Sequence, residues 1–113
     1  MVNVYDTANQ LEKDLRQSEE VLGLQGAFAK MKADPMAYKL FQQMQQMQEQ
    51  LQQKQASNQE ISDDEIKQLQ ELSGKLAKFD SVQNLMEQER KINAMMEELN
   101  KIISKPIADV YNS

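Results

Sequence analysis

The chain has 113 residues and a mass of 13.1 kDa, which at roughly 100 to 200 residues per domain is room for one small domain. Its 13 Lys and Arg against 18 Asp and Glu leave a net charge of -5 and a pI near 4.7, so no electrostatic surplus is available to neutralise nucleic-acid phosphates. There is no Cys and no His, which excludes thiolate nucleophiles, disulfides, iron–sulfur ligation, the usual zinc sites and the commonest general base.

A hydrophobic share of 40% beside 27% charged residues belongs to a folded chain, and 5% aromatics with no Trp make its core aliphatic. Three Gly and two Pro supply too little turn chemistry for a small sandwich or barrel, so helices are expected. The N-terminal residues lack a basic segment followed by an apolar one, and no run approaches the roughly 20 apolar residues of a membrane span. A cytoplasmic location without membrane insertion is expected.

The first helix is predicted over about 4–17, where Val4, Tyr5, Ala8, Leu11 and Leu15 share a face. Ser18 then reads as an N-cap, with Glu19 and Glu20 at the positive end of a second helix over 19–32. That helix carries Val21, Leu22, Leu24, Phe28 and Met31. Gly23 and Gly26 each cost on the order of 1 kcal/mol of helix propensity against Ala, and either close helix packing or a flexible hinge accounts for them.

Asp34 followed by Pro35 opens a third helix over 35–56: Asp accepts from orphan amides, and Pro at the first position lacks a donor that would be unpaired anyway. Ala37, Leu40, Met44, Met47 and Leu51 form its seam, with Phe41 beside it. The stretch Gln42–Gln55 has only Glu49 and Lys54 for charge. Its outer face is either a solvated helix surface or a neutral one that is cheap to desolvate against a partner.

Ile61-Ser62-Asp63-Asp64-Glu65-Ile66 contains a capping box, Ser62 with Glu65 three residues on, and a hydrophobic staple of Ile61 with Ile66. Its acids lack the alternating ligand positions of a calcium loop. A fourth helix over 63–79, with Ile66, Leu69, Leu72, Leu76 and Phe79, should fold back on the third through the short link 57–61. A fifth, over 81–104, carries a wide stripe of Val82, Leu85, Met86, Ile92, Met95, Met96, Leu99, Ile102 and Ile103. Lys105-Pro106 is expected to break it. A short piece, 106–111, would then be anchored back on the bundle by Ile107, Val110 and Tyr111. The fold class is all-α: an elongated single-domain bundle over 1–113 with two long helices in antiparallel hairpin packing, short N-terminal helices and a C-terminal turn after a Pro kink.

Little chemistry remains. The catalytic candidates are carboxylates, Lys and the tyrosines Tyr5, Tyr38 and Tyr111, each with a place in an amphipathic pattern. Glu97 and Glu98 are adjacent on a helix and do not face one another. No Gly-rich phosphate loop, GxSxG elbow or HExxH occurs. No enzyme, cofactor or metal is expected.

The segments VYDTANQLEKDLRQSEE, ADPMAYKLFQQM leading into LQQKQ, EISDDEI, and MEQERKINAMMEELNKIISKPIADVY resemble, in this order and over most of the chain, the YlbF/YmcA-like small helical proteins of low-GC Gram-positive bacteria, within them the YheA-like branch. The resemblance implies an all-helical fold, frequent self-association and a cytoplasmic regulatory or adaptor role. Better-studied relatives act in competence, sporulation and biofilm development, through a complex that supports messenger-RNA processing by a membrane-bound ribonuclease. Those relatives help to hold iron–sulfur clusters through cysteines, and a chain without Cys does not inherit that property.

The expected function is that of a non-enzymatic, self-associating regulatory or adaptor module. Its expected partners are a second copy, as a homodimer, and other proteins, including those of an RNA-processing complex, without direct nucleic-acid binding. Leu40, Phe41, Met44, Met47, Leu51, Met86, Met95 and Met96 are the candidate self-association or partner surface. The alternative is a small chaperone-like holdase that offers a Met- and Gln-rich hairpin to unfolded clients.

Overall fold

The computed structural model describes residues 2–113 as five helices: α1 (Val4–Arg16), α2 (Glu19–Lys32), α3 (Pro35–Ala56), α4 (Asp63–Leu76) and α5 (Asp80–Tyr111). Local capping sets most of their ends. The Asn3 side chain accepts from the amides of Tyr5 and Asp6 at the start of α1. Ser18 Oγ donates to the Leu15 carbonyl and accepts from the Val21 amide, closing α1 and opening α2 with one hydroxyl. Asp34 accepts from Ala37 at the head of α3, where Pro35 occupies the first helical turn.

The described chain packs as two compact units. One comprises 27–85, and the other combines Met1–Gly26 with Met86–Ser113.

In the unit 27–85, α3 and α4 pack against each other as the expected hairpin. The link between them is a Schellman turn with Asn58 in the left-handed position, at φ 56°. The Asn58 amide donates to the Gln55 carbonyl and the Gln59 amide to that of Lys54. The capping box is formed as its sequence requires, with Ser62 Oγ accepting from the Glu65 amide and the Glu65 carboxylate accepting from the Ser62 amide. Lys54 Nζ, from the last turn of α3, also donates to that carboxylate at 2.5 Å, tying the two arms of the hairpin together. Every fully buried apolar residue described lies in this unit: Ala27, Met31, Ala37, Leu76, Val82 and Leu85. Phe28 meets Phe41 edge to face with ring centroids 5.9 Å apart.

The other unit is α1, the first part of α2 and most of α5. Leu11, Leu15, Val21, Leu24, Ile92, Met95 and Leu99 are half-buried there, and none of its described residues is fully buried. Gly23 allows a close approach: a Cβ at that position would lie 2.6 Å from Gln88 Oε1. Gly26 has open space around it, so close packing is not its reason.

The C-terminus departs from expectation. No break occurs at Lys105-Pro106, because α5 runs through Pro106 to Tyr111. A proline ring removes one backbone donor and disfavours helix at the preceding residue, but the bonds beyond it re-form, and the helix closes with the Asn112 amide on the Ala108 carbonyl. A tail that stays helical does not turn back. Ile107, Val110 and Tyr111 are therefore not anchors; they are 66%, 69% and 85% exposed. The fourth helix ends at Leu76 rather than Phe79, since the amides of Lys78 and Phe79 bond three residues back in a tight turn that leads into α5. No described helix is long and apolar enough to cross a membrane.

Candidate functional site

The largest concavity described lies within the unit Met1–Gly26 with Met86–Ser113. It is a groove of about 770 Å³ between the N-terminal segment and the second half of α5. Val4, Ala8 and Leu11 recur at helical spacing along α1, while Leu99, Ile102 and Ile103 recur along α5, so two apolar stripes form its walls. Polar groups sit beside these stripes. Thr7 and Gln10 belong to the lining, and Gln10 Nε2 donates to Asp14 Oδ1 at 3.0 Å.

Around this groove the apolar surface is unusually open. Val4 and Tyr5 are 66% and 77% exposed, and Ile102 and Ile103 are 67% and 61% exposed. Beyond the groove the same surface continues down the tail through Ile107, Val110 and Tyr111. Leu99, Ile103, Ile107 and Val110 are spaced by four, four and three, so the helical period passes across Pro106 unbroken. Such an arrangement leaves a continuous apolar stripe open to solvent.

A second, smaller hollow in the same unit has a different character. Glu20, Arg90, Lys91 and Glu98 line it together with Ala94 and Met95. Arg90 donates to both carboxylate oxygens of the neighbouring Glu87. These hydrogen bonds, with the added charge attraction, hold the Glu87 carboxyl below its ordinary value and the Arg90 guanidinium above its own. The pair stands in water at a helix surface, where such contacts add little to stability.

The surface residues expected from the sequence fall into two groups. Leu40, Phe41, Met44, Met47 and Leu51 are half-buried on α3, the helix that packs against α4. Met86 and Met96 are 54% and 40% exposed and Met95 is half-buried, all three in the unit that carries the groove. The sequence reading missed the most exposed group, Val4 and Tyr5 of α1 with Ile102 to Tyr111 of α5. The uninterrupted spacing across Pro106 was the signal that could have found its second half.

Comparison with known proteins places the chain in a family. The family model described as control of competence regulator ComK, YlbF/YmcA, matches residues 4–108. A UPF0342 protein of Latilactobacillus sakei is 51% identical over 110 residues, covering 97% of this chain and 96% of that one. A UPF0342 protein of Lacticaseibacillus casei is 51% identical over 111 residues, covering 98% and 97%. Among solved structures, a Bacillus stearothermophilus protein of unknown function, DUF964, superposes with a TM-score of 0.88 at 28% identity, covering 97% of this chain and 96% of its own. The yheA protein of Bacillus subtilis superposes with a TM-score of 0.74 at 30% identity, covering 97% and 100%.

Proposed function

The chain belongs to the YlbF/YmcA family, and from that premise we propose that it is a non-enzymatic regulatory protein that acts by binding other proteins and copies of itself. The observation that carries the reading is the open apolar surface of α1 and the second half of α5. Leaving Tyr5, Ile102, Ile107 and Tyr111 in water is unfavourable unless a partner removes them from it. The absence of Cys and His from the sequence narrows the chemistry further, since what remains suits recognition better than bond-making. The family description ties its members to control of the competence regulator ComK. The proposal extends that link to an adaptor role in the cytoplasm, with an RNA-processing complex as the proposed partner class.

Affinity capture of the tagged chain at its natural expression level, with and without ribonuclease treatment, tests the adaptor part. RNA-processing proteins recovered in both samples are the expected result. Their loss on ribonuclease treatment would mean that RNA, not this surface, bridges them. Recovery of the chain alone removes the adaptor reading.

A further inference from the structure

We propose that the end of α5, from Lys101 to Tyr111, is a conditional helix: it opens and closes by itself, hinged at Pro106, while the rest of α5 stays folded. This is a property of the single chain. It goes beyond the function proposed above and does not depend on which molecule the chain binds.

Three observations carry it. The first is the loss of tertiary support. Every residue from Lys101 to Ser113 is exposed, whereas Ile92, Met95 and Leu99 earlier in the same helix are half-buried, and Val82 and Leu85 at its start are buried. Helices in proteins draw most of their stability from a packed face, and propensity alone leaves a short segment marginal. The second is that local support is poor as well. Ile102, Ile103, Ile107 and Val110 are β-branched and lose rotamer freedom in a helix. Lys101 and Lys105 are like charges one turn apart. The last turn has no base and contains Asp109, the unfavourable sign at the negative end of the helix dipole. The third is Pro106 inside the helix. Its ring removes the amide that would donate to the Ile102 carbonyl and crowds that carbonyl. The backbone ladder is therefore weakest just where packing has ended.

The apolar stripe nevertheless keeps its helical period through Ile103, Ile107 and Val110. A segment patterned for a helix that it holds only weakly is ordered fully by contact. Anything that binds through Ile107, Val110 and Tyr111 as a helical face selects the closed form, and its apparent affinity is reduced by the fraction of time the tail is closed. Pro106 sets that fraction.

Residue-resolved amide hydrogen exchange of the full chain, followed by nuclear magnetic resonance, tests this. The amides of Ile107, Ala108 and Asp109 bond to carbonyls on the other side of residue 106, so they report its opening. In the wild type they should exchange at least about 100-fold faster, relative to the unfolded rate, than those of Ile92 and Met95. Pro106→Ala restores the missing donor and should slow the three tail amides by about tenfold or more, leaving Ile92 and Met95 unchanged. Wild-type protection at Ile107 to Asp109 equal to that at Ile92 and Met95 would overturn the proposal. So would a Pro106→Ala chain in which the three tail amides are unchanged, or in which the whole of α5 is slowed alike. None of these results bears on the capture experiment, which tests the adaptor reading separately.

Discussion

Residues 27–85 and the unit of Met1–Gly26 with Met86–Ser113 are built from the same kind of amphipathic helix, yet only the first closes a core. In the first, Met31 and Ala37 are 0% exposed, with Leu76, Val82 and Leu85 close behind. In the second, apolar side chains at the same spacing remain half-buried or open. The difference is one of supply. The hairpin of α3 and α4 finds its apolar complement within 27–85, whereas α1 and the α5 tail each present a stripe that no third element covers. Apolar periodicity specifies a helix face; whether that face becomes core or contact surface depends on how many partners the same chain brings to it.

The comparison can be broken most sharply at Met31. Truncation to Ala at a fully buried site removes transfer energy and leaves a cavity, so Met31→Ala should lower unfolding free energy by about 2–5 kcal/mol in urea titration. Tyr111→Ala, at 85% exposure, should leave the stability of the single chain within about 0.5 kcal/mol, a change read against monomer conditions. Equal effects at the two sites would mean that the two units do not differ as described. Below these comes the local stop signal of the hairpin: Ser62→Ala, which leaves the Glu65 amide without its acceptor, should cost about 1 kcal/mol. Gly26→Ala runs in the opposite sense. With nothing within 4 Å of the new methyl group, the helix should gain about 0.5–1 kcal/mol, seen as a raised thermal midpoint. A loss of stability there would restore a packing role for Gly26.

What the sequence made legible was what is decided within a few residues. Asp34-Pro35, Ser18 and the Ser62 to Glu65 box act through their own backbone neighbours, and each sits where its pattern places it. The hairpin link was legible too, although Asn58 supplies the left-handed residue where Gly would have been the plainer signal. The tail was not, because a proline lowers the odds of helix without forbidding it, and the outcome at Pro106 depends on the bonds that re-form beyond it. The exposure of the tail was hidden in the sequence for the same reason. A C-terminal piece that folded back would bury Ile107, Val110 and Tyr111, whereas a helix that continues leaves them in water. The two glycines of α2 separate the local from the tertiary most simply: they look alike in sequence, yet Gly23 faces Gln88 and Gly26 faces open space.

The smallest expected effect concerns the one ionised contact that ties α3 to α4. The Glu65 carboxyl is held below its ordinary value, first by the hydrogen bond from Lys54 and then by the Ser62 amide, against a smaller opposing effect of desolvation. A carboxylate whose folded value is depressed binds protons more readily in the unfolded chain. Its contribution is therefore present at neutral pH and is lost as pH falls from the ordinary carboxylate value through the folded one. Glu65→Gln keeps a side chain able to complete the capping box but removes the charge, so it isolates this contact. Wild type should melt above Glu65→Gln at neutral pH, and the gap should close in acid. Because the pair is only half-buried, added salt should also narrow the gap at neutral pH. A gap that ignores both pH and salt would assign the effect of Glu65 to its place in the cap alone, and would leave the hairpin held by apolar packing and backbone geometry.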